Sequence, residues 1–299
     1  MHLLERLEEH FARREWLHAD REATRLAMME SLSDREMGRM YRMWGRAKAG
    51  LNELKAATTL LERALPHAMV AEDWDCVGCV RSELGTLYTS AGDLYRGTRY
   101  LRDYRRDLNR YQEEALAFQG KVSFNLGLAC RYQKQYSDAI LHYSEALAWF
   151  DQHGWQTEKG MTHQNLGWLH ATIDQLPQAK AQLELADAHR ESAPPAFDAE
   201  QLCCWALYHL KAGQVGSAMD SIQEVLLADR PGVTVHHRGQ AALVGGYVAV
   251  KLGQKKEAER MLDLAMAAAI DTNNKPLADD CSELRSLILR QWPGALANG

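Results

Sequence analysis

One small-residue anchor recurs along the chain with the same companions downstream, and this repeat limits the fold more than any other feature. Gly127 is followed at offsets of 12, 16 and 19 by Ala139, Tyr143 and Ala146. The same offsets give Ala57, Leu61 and Ala64 after Gly45, and Gly97, Leu101 and Tyr104 after Gly85. They give Ala179, Leu183 and Ala186 after Gly167, Ala218, Ile222 and Val225 after Ala206, and Ala258, Leu262 and Ala265 after Gly246. Leu7 begins a looser copy with Ala19, Ala23 and Leu26. From Gly45 onward the anchors lie 39–42 residues apart. Apolar residues recur at three- and four-residue spacing and strand-like alternation is absent, so the chain is predicted to be all-α. Each repeat is a pair of helices that cannot bury its own apolar face and must stack on its neighbours. Small residues at the anchor and at offset 12 predict a close approach of two antiparallel helices. Larger residues at offset 16 are expected to fill the gap between hairpins. Gly50, Gly92, Gly213 and Gly253 fall at the turns, where a left-handed residue ends a helix; Gln135 and Asp174 stand there in two other repeats.

The hairpins are expected at approximately 2–32, 34–71, 73–111, 112–153, 155–192, 196–230 and 234–272, with a capping helix over 275–291, all within one domain spanning 1–299. The proline-rich break 192–197 predicts a longer inter-repeat loop and a change in superhelix direction. A hydrophobic content of 46% over 299 residues suffices for a sizeable core. The net charge of −5 gives no reason to expect nucleic-acid or membrane attraction. The N-terminal stretch carries Glu5, Glu8 and Glu9 among its apolar residues, unlike a secretion signal. Six scattered cysteines without such a signal point to a reduced, cytoplasmic setting.

The small-residue positions, the aromatic or leucine landmark and the helix–turn–helix period together resemble the tetratricopeptide repeat. The resemblance runs from about Leu3 to Ala269, with a period near 40 where that repeat ordinarily has 34. The longer period is similar to kinesin-light-chain repeats and to the bacterial peptide-sensing regulators of the Rap, NprR and PlcR group. It implies a right-handed superhelical solenoid of about seven hairpins plus a C-terminal capping helix, with a concave groove that holds a peptide or protein segment.

A helical wheel at 100° per residue places Ser123, Leu126, Gly127 and Cys130 on the packed side. Lys121, Phe124, Asn125, Leu128, Arg131 and Tyr132 then fall on the opposite, groove side, with Asn165, Gln164 and Trp168 as counterparts one repeat later. An amide offers donors and an acceptor to a peptide backbone. In the resembling proteins groove asparagines hold an extended peptide, so Asn125 and Asn165 are candidate ligand contacts, with Phe124, Tyr132 and Trp168 as apolar ones. Alternatively the two asparagines fix repeat geometry. Arg39, Arg42 and Arg46 project to the same face as Lys121 and Arg131, with Glu83 the acidic exception. Such a face suits an acidic peptide or a free carboxylate; alternatively the arginines pair with nearby acids.

Cys76 and Cys79 have redox-motif spacing but lie inside a predicted helix, so they are expected to be packing residues. His163, His170, His236 and His237 lack a third ligand and are expected at the surface or in the groove. No phosphate loop, dinucleotide fingerprint or nucleophile elbow occurs, and no cofactor, metal or catalytic residue is expected. Three functions compete: a cytoplasmic regulator or sensor gripping a peptide or protein segment, a constitutive scaffold, and a Rap-like phosphatase. The phosphatases use a separate N-terminal bundle that the early first repeat leaves no room for. Direct nucleic-acid binding is not expected, any output domain would lie on a longer gene product, and a homodimer through the solenoid ends is one assembly open to the chain.

Overall fold

The computed structural model describes residues 4–28, 32–190, 195–227, 233–272, 274–293 and 295. All regular structure among them is helical. The helices are α1 (Glu5–Ala12), α2 (Trp16–Leu26), α3 (Asp34–Gly50), α4 (Leu54–Val70), α5 (Trp74–Ser90) and α6 (Leu94–Arg106). A 3-10 turn (Leu108–Arg110) and the short α7 (Glu113–Leu116) follow. Then come α8 (Gln119–Tyr132), α9 (Tyr136–His153), α10 (Gln156–Thr172), α11 (Leu176–Asp187), α12 (Pro195–Lys211), α13 (Val215–Leu227), α14 (Val235–Lys251), α15 (Lys255–Asp271) and α16 (Lys275–Gln291). The chain divides into two compact units, residues 1–129 and 130–299. Of the proline-rich break, residues 192–194 lie outside the described residues.

The anchors act as the repeat requires. A Cβ on Gly45 would fall 2.8 Å from Leu61 Cγ, and Cβ atoms on Gly85 and Gly167 would overlap Leu101 and Leu183. In each case the blocking side chain is the offset-16 residue. That residue fills the space left by its own hairpin's anchor and also, as expected, packs toward the next hairpin: Leu61 clusters with Val77 and Leu84 of α5, and Ile222 with Ala241 and Val248 of α14. Ala57, Leu61, Leu101, Tyr104, Tyr143, Leu183 and Ile222 are all fully buried. A fully buried side chain of this size contributes about 1.5–3 kcal/mol of transfer free energy. Gly246 departs from the pattern: its empty Cβ position receives Leu284 of α16. The last anchor therefore packs on the final helix.

Two turn positions also differ. At the turns inside the hairpins the left-handed residues are Gly92, Asp174, Gly213 and Gly253, as expected, but Asn52 and Lys134 take that conformation in place of Gly50 and Gln135, and Arg14 takes it between α1 and α2. Gly50 is the last residue of α3, and the ring of Trp16 occupies the space its side chain would fill. Left-handed backbone costs a non-glycine residue energy, least for Asn and Asp; Asn52 and Asp174 meet that preference, Lys134 does not. Helix starts are capped where the sequence permits. Ser33 and Glu36 form a reciprocal capping box at α3, and Thr234 and His237 form one at α14. Among the described residues no helix is long and apolar enough to cross a membrane.

A candidate binding cleft in the C-terminal unit

The groove-side positions stand at −6, −3, −2, +1, +4 and +5 from each anchor, and the two units use them differently. In the N-terminal unit this face is largely occupied by contacts within the chain, which leave a space of about 170 Å³ lined by Arg39, Arg42 and Glu114 among others. On α5 it carries Cys79, Ser82 and Glu83, all buried. The segment from Asp107 to Phe118 lies against α5: Asp75 accepts from the Ala115 amide at 2.7 Å, and Tyr104 donates to the Ala115 carbonyl at 2.5 Å. A Cβ on Gly78 would meet that of Ala115 at 2.7 Å. Arg81 donates to Asp107 at 2.6 Å and to Tyr111 at 3.0 Å, tying the same segment down.

The arginines predicted to face a ligand here have acidic partners. Arg39 donates to Asp73 at 2.7 Å, and Arg42 donates to Glu114 at 2.7 Å. Glu83 lies 3.5 Å from Arg42 and 3.7 Å from Arg46. Burial pushes the Glu83 carboxyl up against the pull of both arginines. An excess of basic groups on an open face is therefore corrected to a charge cluster neutralised largely within the fold. Asn125 also departs from its expected place. It is 7% exposed, and its amide donates to Thr86 at 2.9 Å and to the Lys121 carbonyl at 3.0 Å. The wheel counted it spare because a wheel cannot see α5. Lys121 and Phe124 are half-buried beside it.

In the C-terminal unit the same register lines a cleft of about 390 Å³. Arg131 and Tyr132 come from α8, Trp168 and Thr172 from α10, Leu207 and Leu210 from α12, and Gln240, Leu243, Val244 and Tyr247 from α14. Asp279, Asp280 and Glu283 of α16 add an acidic wall. Lys134, in the turn before α9, pairs with Glu283 and lies 3.9 Å from Asp280. Burial lifts the Asp280 carboxyl above its ordinary range, against the pull of Lys134.

Of the predicted site residues, the structure brings Arg131, Asn165 and Trp168 together. Arg131 donates to Asn165 Oδ1 at 3.1 Å, and its guanidinium stands 5.1 Å from the ring centre of Tyr132 and 5.8 Å from that of Trp168. Asn165 also accepts from Tyr143 at 3.2 Å and donates to the Met161 carbonyl at 2.8 Å. Its amide thus orients the arginine. Gln164, predicted for the groove, is instead 3% exposed and joins α10 to α12, donating to the Phe197 carbonyl at 3.0 Å and to Gln201 at 3.2 Å. Two histidines expected outside are inside: His163 bonds Gln182 at 2.7 Å, and His237 caps α14. Cys76 and Cys79 are buried as packing residues, with thiols pushed up by that burial. Gln240, Leu243 and Tyr247 went unpredicted, although the register that found Arg131 and Trp168 finds them when counted from Gly246.

No protein-family model and no curated protein matches the sequence. Solved structures do match its fold. A tetratricopeptide repeat protein from Parabacteroides merdae superposes with a TM-score of 0.62 at 13% identity, over 96% of this chain and 97% of the other. A Rap protein complexed with competence and sporulation factor gives 0.69 at 12% identity, over 97% and 86%. The apo form of RapI gives 0.64 at 12% identity, over 99% and 86%. With anchors packed under offset-16 residues and helices matched over nearly its full length, the chain has the fold of a tetratricopeptide-like repeat protein and resembles the Rap proteins.

Proposed function

We propose that the protein is a binding module, and not an enzyme, that holds a peptide or an extended segment of a partner protein in the cleft of its C-terminal unit. One observation carries this reading. In one unit the groove register is buried by contacts within the chain, Cys79 packing with Tyr111 and Ala115 and Glu83 lying beside Arg42 and Arg46, and in the other it lines a cleft of about 390 Å³. The cleft mixes apolar walls from Leu207, Leu243 and Val244 with aromatic rings and a few polar groups, the composition of a ligand site. The Rap neighbour complexed with competence and sporulation factor supports the same reading. A regulatory role in the cytoplasm, gated by the segment it binds, completes the proposal. The six cysteines are free thiols and all buried, in keeping with a reduced compartment.

Affinity capture from the native lysate, with photo-crosslinking from Tyr132 and peptide mapping by mass spectrometry, tests it. The expected result is one partner segment crosslinked at the cleft and lost in Leu243→Arg. Equal recovery by wild type and Leu243→Arg would remove the cleft from the function. Loss of phosphate from a phosphorylated response regulator on mixing with the purified protein would replace the binding reading with the phosphatase one.

A further inference from the structure

Two polar groups in the C-terminal cleft lack the partner their chemistry calls for. The first is the Arg131 guanidinium. Most arginines near the N-terminal groove face have a carboxylate within ion-pair distance. Arg131 has none among the described residues: a neutral amide and two aromatic rings hold it. Glu200 acts on it through space without reaching it. A guanidinium fixed by a neutral acceptor and stacked on rings keeps donors free for a planar anion. The second is Gln240, which is 7% exposed and lines the same cleft. Its Nε2 donates to Glu200 at 3.5 Å, while its Oε1 is buried with no donor. A buried acceptor without a donor loses its hydration with nothing in return, a loss that a ligand N–H would offset.

We infer that the cleft recognises a segment bearing a single carboxylate, bound by Arg131, with an adjacent N–H donor that satisfies Gln240 Oε1. This deepens the proposed binding function and rests on it. The lining sets Arg131, Lys134 and Lys211 against Asp279, Asp280 and Glu283, so it has no surplus of positive charge for a polyanion such as nucleic acid. The carboxylate comes from a free C-terminus or from an Asp or Glu side chain.

Affinity selection with three pools of N-acetylated random octapeptides separates these sources. The first pool has free C-termini and no acidic residue, the second is amidated with one Asp or Glu, and the third is amidated without acids. Wild type is expected to retain the first or the second pool about tenfold or more over the third, the size of a charge-assisted bond. An excess confined to the first pool assigns a C-terminus, and one confined to the second assigns a side chain. Arg131→Gln is expected to abolish the excess, Arg131→Lys to reduce it, and Gln240→Leu to lower total retention. Arg260→Gln, whose side chain pairs with Glu257 on α15, is expected to change nothing. Thermal melting of each variant separates lost binding from lost fold, and if Arg131→Gln does not fold, Arg131→Lys decides. Equal retention of all pools by wild type overturns the carboxylate inference and leaves segment binding standing. Retention of no pool overturns both. An excess that survives folded Arg131→Gln overturns the assignment to that residue.

Discussion

The two units place different chemistry on the same repeat positions. In the N-terminal unit Cys79 of α5 packs with Tyr111 and Ala115 of the segment Asp107–Phe118, and Arg39, Arg42 and Arg46 meet Asp73, Glu83 and Glu114. In the C-terminal unit those positions carry Leu207, Leu243, Val244 and Tyr247 around an arginine with no acid within ion-pair distance among the described residues. A charge that the fold neutralises serves stability and specificity of packing; one that the fold positions without neutralising is left for something else. The difference teaches that basic residues on a repeat face do not mark a site until their partners are known.

Substitutions that test the comparison should therefore act on folding in one unit and on binding in the other. The largest effect is expected from Glu83→Ala. It takes an acid from buried Arg42, which keeps Glu114, and from Arg46. It should cost about 3 kcal/mol in a denaturant titration, the low end for a broken buried pair. A loss under 1 kcal/mol would mean that the N-terminal cluster is not the structural device described here. Gln201→Leu comes next. Gln201 donates to the Leu183 carbonyl at 2.9 Å and to Asp187 at 3.0 Å, and accepts from Gln164. Emptying that joint between α10, α11 and α12 should destabilise by about 1–3 kcal/mol, read as a lower unfolding midpoint at unchanged slope.

A smaller effect is tied to pH. Burial lowers the pKa of His163 below its ordinary 6.5, against a hydrogen bond that its ring donates to the Gln182 amide oxygen. The neutral ring therefore favours the folded state. Its contribution is complete above about 6.5 and is lost as pH falls from there to the lower folded-state value, below which no more is lost. His163→Gln should flatten that part of the melting-temperature profile, and a wild-type slope that survives the substitution would assign it elsewhere. The smallest effect is expected at the cleft rim. Lys134 pairs with Glu283, with both side chains about half exposed. A double-mutant cycle of Lys134→Ala and Glu283→Ala should give a coupling of about 1 kcal/mol or less, shrinking with added salt.

Much of the fold is legible in the sequence. The anchors and their offset residues describe close helix approach, which depends on side-chain size alone, and size is written in the residue. The groove register is legible for the same reason, and it leads to Arg131, Trp168 and, in later repeats, to Leu243 and Tyr247. Asn125 and Gln164 were misplaced because each is buried by another helix, α5 or α12, that a single wheel leaves out. Gly50 was misplaced at its turn because Trp16, thirty-four residues earlier, claims its empty side-chain space.

By itself the sequence determined that the chain is all-α, that its helices pair about small anchors and that the pairs repeat near every 40 residues. Those properties follow from local periodicity and residue volume. Only the tertiary structure decided which face stays accessible and which charges remain to act. Both depend on segments far apart in sequence: Asp107–Phe118 laid on α5 in one unit, and Asn165 turned toward Arg131 in the other. A guanidinium's availability is set by whether a carboxylate lies beside it in space, and no spacing along the chain states that.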